Sequence, residues 1–444
     1  MNIEELTKSQ KEKISEFGVN TWYVLEILNE YENAPDSVSD YWKKFFESLE
    51  INIEKNKKQI NGKGKTVIGQ KSITNIKDIE DAVPIRGAGV KIIENMDSSL
   101  SIPVATSLRT ISVKVLEENR RIINNYFQKT GSGKISYTHL AGWAIIKALE
   151  KIPSLNFAFG VINNEPQVIK RKDINIGLAI DLIKKDGSRS LIVPNIKKVN
   201  TLNFKEFFDA YNDIISRSKI NKIEISDFQD TTISLTNPGT LGTVSSNPRL
   251  MVGQGAIIAT GSIDYPSGFQ GATGDVISKL GISKIMNITS TYDHRIIQGA
   301  ESGLFLKRMN ELLIGEDNFY ENIFEDLKIP TKPVLWQADN NPDDFSGINN
   351  LNEIEKQAKA IQLINMFRVR GHLLSNLDPL NPKAQYHKEL DPVTYGFTVW
   401  DYDREFITDG LGGFRTAKLR DILDMLHQTY CENIGVEYKH IQDP

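Results

Sequence analysis

The sequence predicts an α/β (α+β) protein, with one central domain flanked by helical segments at both ends. Between residues 80 and 316, apolar runs typical of strands alternate with amphipathic helical patterns. Residues 17–49 carry apolar side chains at helical spacing, and a helical pattern returns from residue 351. A chain of 444 residues is long enough for about three structural units, at least one of them with a sizeable core.

Two segments of the central domain show the clearest patterns. Residues 139–152 (HLAGWAIIKALEKI) predict an amphipathic helix. Residues 174–183 (INIGLAIDLI) alternate strictly, which predicts one strand with isoleucines and leucines on its core face. Its other face carries Asn175, Gly177, Ala179 and Asp181, and is small enough for another group to lie against it. Further strands are predicted in LIVPNI, TTISLTN, GQGAIIATGSI and SKIMNITSTYDH.

These patterns divide the chain into five parts. Residues 1–50 form a helical docking segment, whose aromatic-rich helices bury little alone and so dock on this chain or on a partner. Residues 51–79 are a lysine-rich flexible linker. Residues 80–316 are the central domain, 317–350 a connector rich in Pro, Asn and Asp, and 351–444 a second helical region.

The composition excludes several classes of protein. The net charge of −4 gives no reason to expect nucleic acid or an anionic membrane as a partner. Cys431 is the only cysteine, so an intrachain disulfide and a thiolate zinc cluster are excluded. No secretory signal and no run of about 20 apolar residues occurs in the sequence, and we expect a cytoplasmic protein.

Two kinds of site are rejected on their motifs. The segment KTGSGKIS (129–136) is similar to a phosphate-binding loop, but Gln128 replaces the first glycine and Ile135 the magnesium-binding hydroxyl. A polar turn between helices is expected there instead. The histidines show no metal-binding pair at helical spacing, so no metal site is predicted. The six histidines stand at positions 139, 294, 372, 387, 427 and 440.

One histidine lies in a distinctive context. In TYDHRIIQG (291–299), His294 follows a predicted strand and precedes a predicted helix. Such a position fixes a side chain from two elements without requiring its burial. A solitary histidine is more often a structural hydrogen-bonding residue than a catalyst, and the sequence around His294 alone leaves both interpretations open.

Residues 80–316 resemble the catalytic domain of the dihydrolipoyl acyltransferases of 2-oxo acid dehydrogenase complexes. The family signature H-R-x-x-D-G is matched by His294, Arg295 and Gly299, with Gln298 in the aspartate position. INIGLAIDL, SLIVPNIKKV and TISLTNPGTLGT also resemble segments of this family. The resemblance implies a mixed sheet of the kind found in chloramphenicol acetyltransferase.

The flanking segments resemble a different component of the same complexes. FRVRGHLLSNLDPL, YGFTVWDYDR and CENIGVEYKHI, all within 351–444, resemble the N-terminal helical region of the 2-oxoglutarate decarboxylase component. Residues 17–50 resemble its docking segment. This order is that of the fused, multifunctional 2-oxoglutarate dehydrogenases best known from actinobacteria, which act in the citric acid cycle.

The same resemblance implies cofactors and partners outside this sequence. No thiamine diphosphate motif (G-D-G…N) occurs, so thiamine diphosphate and Mg²⁺ would belong to a downstream part of a longer chain. No lipoyl-bearing lysine domain is evident, so lipoamide would come from a lipoyl-bearing acyltransferase component. Dihydrolipoamide dehydrogenase is the other implied partner.

By resemblance, each motif residue takes a role in acyl transfer. His294 would remove the proton from the thiol of coenzyme A, since an imidazole pKa near 6.5 suits that task. Thr236 would donate a hydrogen bond to the oxyanion, with Ser234 as a weaker candidate and Asn237 in a supporting position. Without the resemblance, the TNPG segment (236–239) is equally well interpreted as a simple hairpin turn. In the family the histidine and the hydroxyl come from neighbouring subunits, so a homotrimer or higher oligomer is expected.

The glutamine of the signature leaves two functions open. Gln298 forms hydrogen bonds but no ion pair, so transfer is intact, slowed or lost, and Asp293 could supply some of the charge. The leading hypothesis is succinyl transfer from dihydrolipoamide to coenzyme A. The rival is a catalytically silent scaffold that oligomerises the decarboxylase and docks lipoyl partners. An antibiotic acetyltransferase is a weaker third hypothesis.

Overall fold

The structure is a computed structural model and describes most of the chain. The described residues are 6–15, 17, 20–35, 38–49, 88–183, 189–220, 222–339, 350–375, 377 and 386–435. The predicted linker at 51–79 lies outside them. Within the described ranges, no helix combines the length and the apolar character needed to cross a membrane.

Helices and strands alternate through the central domain, between helical ends. The helices are α1 (Lys8–Ser15), α2 (Thr21–Asn33), α3 (Asp40–Ser48), α4 (Ala88–Ser99), α5 (Lys114–Thr130), α6 (Tyr137–Lys151), α7 (Phe204–Lys219), α8 (Gly274–Lys279), α9 (Gly299–Leu313), α10 (Phe319–Asp326), α11 (Asn350–Arg370) and α12 (Leu419–Tyr430). The strands are β1 (Val104–Ser112), β2 (Ala158–Ile162), β3 (Glu165–Ile169), β4 (Ile176–Leu178), β5 (Ile180–Ile183), β6 (Arg189–Ile192), β7 (Asn195–Ile196), β8 (Ile233–Thr236), β9 (Ala256–Asp264), β10 (Ile285–Asp293), β11 (Glu405–Ile407) and β12 (Thr416–Lys418).

The central sheet has six strands in the order β1-β10-β9-β8-β4-β7. Strands β9, β8 and β4 run parallel to one another, whereas β1, β10 and β7 each pair antiparallel to their neighbours. The predicted mixed α/β architecture is therefore confirmed. Three two-stranded ribbons lie outside this sheet: β2–β3, β5–β6 and β11–β12.

The strand predicted at 174–183 is not continuous. Leu178 ends β4, and β5 leaves the main sheet to pair with β6. The N–H of Ala179 still donates to the carbonyl of Leu235, which completes the parallel β4–β8 ladder, and from Ile180 onward the chain pairs with β6 instead. The face with small side chains does let other groups lie close, as predicted, since Asn175 is buried and a Cβ added to Gly177 would lie 2.9 Å from the hydroxyl of Ser234.

The central domain extends beyond the boundary predicted at residue 316. Helix α10 occupies the start of the predicted connector and buries Phe319, Tyr320, Ile323 and Phe324. The Tyr320 hydroxyl donates to the carbonyl of Leu313, 2.8 Å away, and so ties α10 to the end of α9. These four apolar residues at helical spacing explain why a helix forms there despite the polar residues that follow.

The N-terminal helices pack on the central domain of this chain. The indole N–H of Trp42 in α3 donates to the carbonyl of Ile223, 3.0 Å away. Asn20, just before α2, binds both backbone groups of Val193, at 2.7 and 3.2 Å. The sequence leaves open whether these helices dock on this chain or on a partner. The described contacts are with this chain.

The C-terminal helical region contacts α5 through buried ion pairs. Glu118 of α5 has a side chain only 1% exposed, which pairs with Arg121, 3.0 Å away, and with Arg420 of α12. Arg420 also pairs with Asp403, and Asp403 with Lys114 of α5. Although burial opposes it, the field of Lys114 and Arg420 holds the pKa of Asp403 below its usual value.

Candidate active site

His294 lies directly after β10, at the strand-to-helix turn that the sequence predicts. Its backbone N–H donates to the carbonyl of Pro103, which anchors the turn to the start of β1. The imidazole is exposed, and its Nδ1 lies 3.1 Å from the carbonyl oxygen of Ile297. A carbonyl only accepts, so this contact assigns the proton to Nδ1 and leaves the lone pair on Nε2. In the neutral imidazole, Nε2 is therefore the atom that accepts a proton.

Arg295 does not support the imidazole directly. Its guanidinium donates three hydrogen bonds to the buried carboxylate of Asp293, at 2.6, 2.9 and 3.2 Å, and these raise the pKa of Arg295. It also stacks on Phe159 of β2, with 3.8 Å between the guanidinium carbon and the ring centroid. Arg295 thus holds the β2–β3 ribbon against the end of β10. The Asp293 carboxylate is engaged by Arg295.

Gln298 lies immediately before the first residue of α9, and its side chain is exposed. Its backbone N–H donates to the carboxylate of Glu301, 2.8 Å away. A negative charge is therefore present in the first turn of the helix, where it is favourable, although position 298 itself is neutral. At Gly299, an added Cβ would meet only the hydroxyl of Tyr292, at 3.5 Å, which is ordinary contact.

Thr236 ends β8 at the other end of the sheet and is partly exposed. No hydrogen bond to its hydroxyl is formed within the described ranges, so the group is free to donate. Ser234 differs because its side chain is buried and donates to the amide oxygen of Gln254, 2.7 Å away. Of the two hydroxyls proposed from the sequence, only that of Thr236 is accessible.

A cavity of about 380 Å³ opens beside Thr236. Its polar lining includes Thr138 at the start of α6 and Tyr211 of α7, and the amide of Asn237 donates to the Thr138 hydroxyl, 2.7 Å away. Burial raises the pKa of Tyr211 to about 12, so its phenol stays protonated at neutral pH. Asn237 is thereby fixed next to Thr236. We call this cavity, defined by these four residues and the β5–β6 ribbon, the Thr236 cavity.

His294 and Thr236 do not meet within one chain. Tyr292, Ala256 and Ile233 lie in one row across β10, β9 and β8. His294 lies two residues beyond this row, whereas Thr236 lies three residues away on its other side. With about 3.3 Å per residue and about 4.8 Å between strands, their Cα atoms are roughly 19 Å apart. A site containing both side chains needs two copies of the chain.

The loop after Thr236 is held by a close backbone contact. A Cβ added to Gly239 would lie 2.3 Å from the backbone of Gly261 in β9. We expect Gly239→Ala to lower the free energy of unfolding by about 1–3 kcal/mol, because overpacking displaces the loop. Urea denaturation would measure this change in the free energy of unfolding. The matched control is Gly303→Ala in α9, where no heavy atom lies within 4 Å; equal effects of the two substitutions would contradict the prediction.

Several residues of the Thr236 cavity were not predicted as site residues. Tyr211, Thr138 and Arg189 come from separate elements and carry no local motif. For this cavity the sequence offered one signal, which was the prediction that Asp181 lies on the face of its strand with small side chains. Among the described residues, no group of three or more His, Cys, Asp or Glu side chains is placed to hold a metal ion.

The family model of the 2-oxoacid dehydrogenases acyltransferase (catalytic domain) matches residues 77–319, more than half of the chain. The chain therefore belongs to this acyltransferase family. It is 48% identical over 372 residues to a multifunctional 2-oxoglutarate metabolism enzyme from Mycolicibacterium vanbaalenii. That alignment covers 83% of this chain but 29% of the relative, so the chain spans under a third of the relative's length.

Solved structures similar to the chain include two acetyltransferases. A probable dihydrolipoamide acetyltransferase from Listeria monocytogenes is 22% identical, with a TM-score of 0.46, over 54% of this chain and 97% of that one. A chloramphenicol acetyltransferase is 16% identical, with a TM-score of 0.31, over 50% of this chain and 94% of that one.

Proposed function

We propose that this chain transfers a succinyl group between dihydrolipoamide and coenzyme A, as the acyltransferase part of a 2-oxoglutarate dehydrogenase system. The observation that carries the proposal is the exposed imidazole of His294, whose Nδ1 contact with the carbonyl of Ile297 leaves Nε2 as the proton acceptor of the neutral ring. The similarity to multifunctional 2-oxoglutarate metabolism enzymes supports the choice of the succinyl group.

His294 acts as the base in this reaction. Its Nε2 takes the proton from the thiol of coenzyme A, which is mostly protonated at neutral pH. The thiolate attacks the carbonyl carbon of succinyl-dihydrolipoamide and forms a new carbon–sulfur bond. When the intermediate collapses, the bond to the lipoyl sulfur breaks and the imidazolium returns the proton to that sulfur. The products are succinyl-coenzyme A and dihydrolipoamide.

Thr236 stabilises the tetrahedral intermediate. Its free hydroxyl donates to the oxyanion, a contribution of roughly 3 kcal/mol in comparable sites. Because Thr236 and His294 lie at opposite ends of one sheet, the hydroxyl comes from a second copy of the chain. A homotrimer or higher oligomer therefore builds the site. Val161, Ile162, Val168 and Ile169 of the β2–β3 ribbon are exposed next to the His294 end, which suits contact with another copy.

Oxidative decarboxylation is assigned to other parts of the system. Thiamine diphosphate and Mg²⁺ would bind in a downstream part of a longer chain, and a lipoyl-bearing component and dihydrolipoamide dehydrogenase would act as partners. The C-terminal helical region, fixed to α5 by the Glu118 ion pairs, would join the acyltransferase to that downstream part.

Acyl transfer between succinyl-coenzyme A and dihydrolipoamide tests the proposal. The succinyl-dihydrolipoamide formed is separated from succinyl-coenzyme A by liquid chromatography and quantified, for the wild type and for His294→Ala. We expect the variant to lose about 10²- to 10⁴-fold in kcat, as when a general base is removed. Equal rates for the two proteins, or no transfer by either, would leave the rival hypothesis of an oligomerising scaffold. That hypothesis has the neutral Gln298 in its favour.

A further inference from the structure

The Thr236 cavity includes a charged pair in its otherwise apolar far wall. Arg189 and Asp181 lie on the β5–β6 ribbon and form an ion pair there. The register pairs Asp181 with Leu191, and Arg189 lies two residues before Leu191, so the side chains of Asp181 and Arg189 share one face of the ribbon. Leu178, Leu235 and Leu241 also line the cavity.

Arg189 retains the capacity to bind a second anion. Its side chain is 52% exposed, and that of Asp181 is 38% exposed, so neither is sealed by the other. A guanidinium has five N–H donors, and one carboxylate uses at most two of them. Among the described residues that line the cavity, Arg189 is the one basic side chain. Asp181 therefore orients the guanidinium while its remaining donors stay available.

We infer that Arg189 binds the terminal carboxylate of the acyl group and makes the site selective for dicarboxylic acyl thioesters, such as succinyl. This inference rests on the proposed function. With the thioester carbonyl at Thr236, the far carboxyl carbon of a succinyl group lies about 4 Å further along the extended chain. The two methylenes of the acyl group cross the apolar wall, and the carboxylate meets the guanidinium. A monocarboxylic acyl group gains nothing from Arg189.

Two acyl donors of equal length test the inference. Succinyl- and butyryl-coenzyme A share a four-carbon acyl chain and differ in the terminal group. We expect Arg189→Gln to lower kcat/KM for succinyl transfer to dihydrolipoamide by about 10- to 100-fold, and to leave butyryl transfer within about twofold. Arg189→Lys should restore part of the succinyl rate. The matched control is Lys205→Gln, which removes an exposed cation paired with Asp209 on α7, outside the cavity.

The outcomes separate this inference from the proposed function. Equal losses for both donors would assign Arg189 to the phosphates of coenzyme A or to folding, and would overturn the inference. An unchanged ratio of the two rates would also overturn it. If the wild type transfers neither group, the proposed function fails. The inference about Arg189 is then tested by calorimetric measurement of the binding of succinyl- and butyryl-coenzyme A. Arg189→Gln must weaken succinyl-coenzyme A binding alone, or the inference fails as well.

Discussion

Co-expression of His294→Ala chains with Thr236→Ala chains restores acyl transfer that neither variant shows alone. Each substitution by itself should lower kcat by at least about 10²-fold, through loss of the base or of the oxyanion donor. In a mixed oligomer, some interfaces join an intact His294 from one chain to an intact Thr236 from another. With equal amounts of the two chains and random mixing, about a quarter of all interfaces contain both intact side chains. We therefore expect about a quarter of the wild-type rate.

Different affinity tags on the two chains isolate the mixed oligomers for this measurement. The matched control pairs His294→Ala with a chain that carries both substitutions, and it should stay inactive. Mixed oligomers that are no more active than their parents would show that the two side chains do not share a site. The roughly 19 Å between them within one chain makes recovery without a second copy unattainable.

Glu118→Ala should be the most destabilising substitution at the contact between α5 and the C-terminal region. The Glu118 side chain is 1% exposed and balances Arg121 and Arg420, which lose their buried carboxylate in the variant. Removing one member of a buried ionic network costs up to about 3–5 kcal/mol, because the two guanidinium groups lose their buried carboxylate and keep only Asp424 and Asp403 as partners. Guanidinium unfolding followed by tryptophan fluorescence measures the change.

An exposed ion pair at the same contact provides the control. Glu432 pairs with Lys129, and the two side chains are 46% and 48% exposed. Glu432→Ala should lower the free energy of unfolding by no more than about 1 kcal/mol, as for other solvent-exposed pairs. If Glu118→Ala behaves like Glu432→Ala, the buried network does not stabilise the contact.

Strongly periodic segments of this fold were predictable from the sequence. The amphipathic pattern at 139–152 predicted α6, and the apolar strand before His294 predicted β10. The break at Ala179 was not predictable, because it depends on which partner each half of the segment pairs with: β4 pairs with β8, and β5 pairs with β6. Helix α10, which begins at Phe319, was not predicted, because the polar residues that follow it favoured the prediction of a connector.

The candidate site was predictable only in part, for a physical reason. His294 was identified from its turn and its signature, but the carbonyl of Ile297 that sets its tautomer follows from the conformation of that turn. Arg189, Tyr211 and Thr138 reach one cavity from a ribbon and two helices. No short window of sequence contains that convergence, since tertiary packing alone produces it.

The two hydrogen bonds between Asn20 and Val193 have a practical consequence for work on this enzyme. Val193 directly follows β6, the strand that begins with Arg189. The first helices therefore brace the backbone of the β5–β6 side of the Thr236 cavity. A shortened chain that starts after those helices lacks that brace, and kinetic constants measured on it would describe a differently supported catalyst.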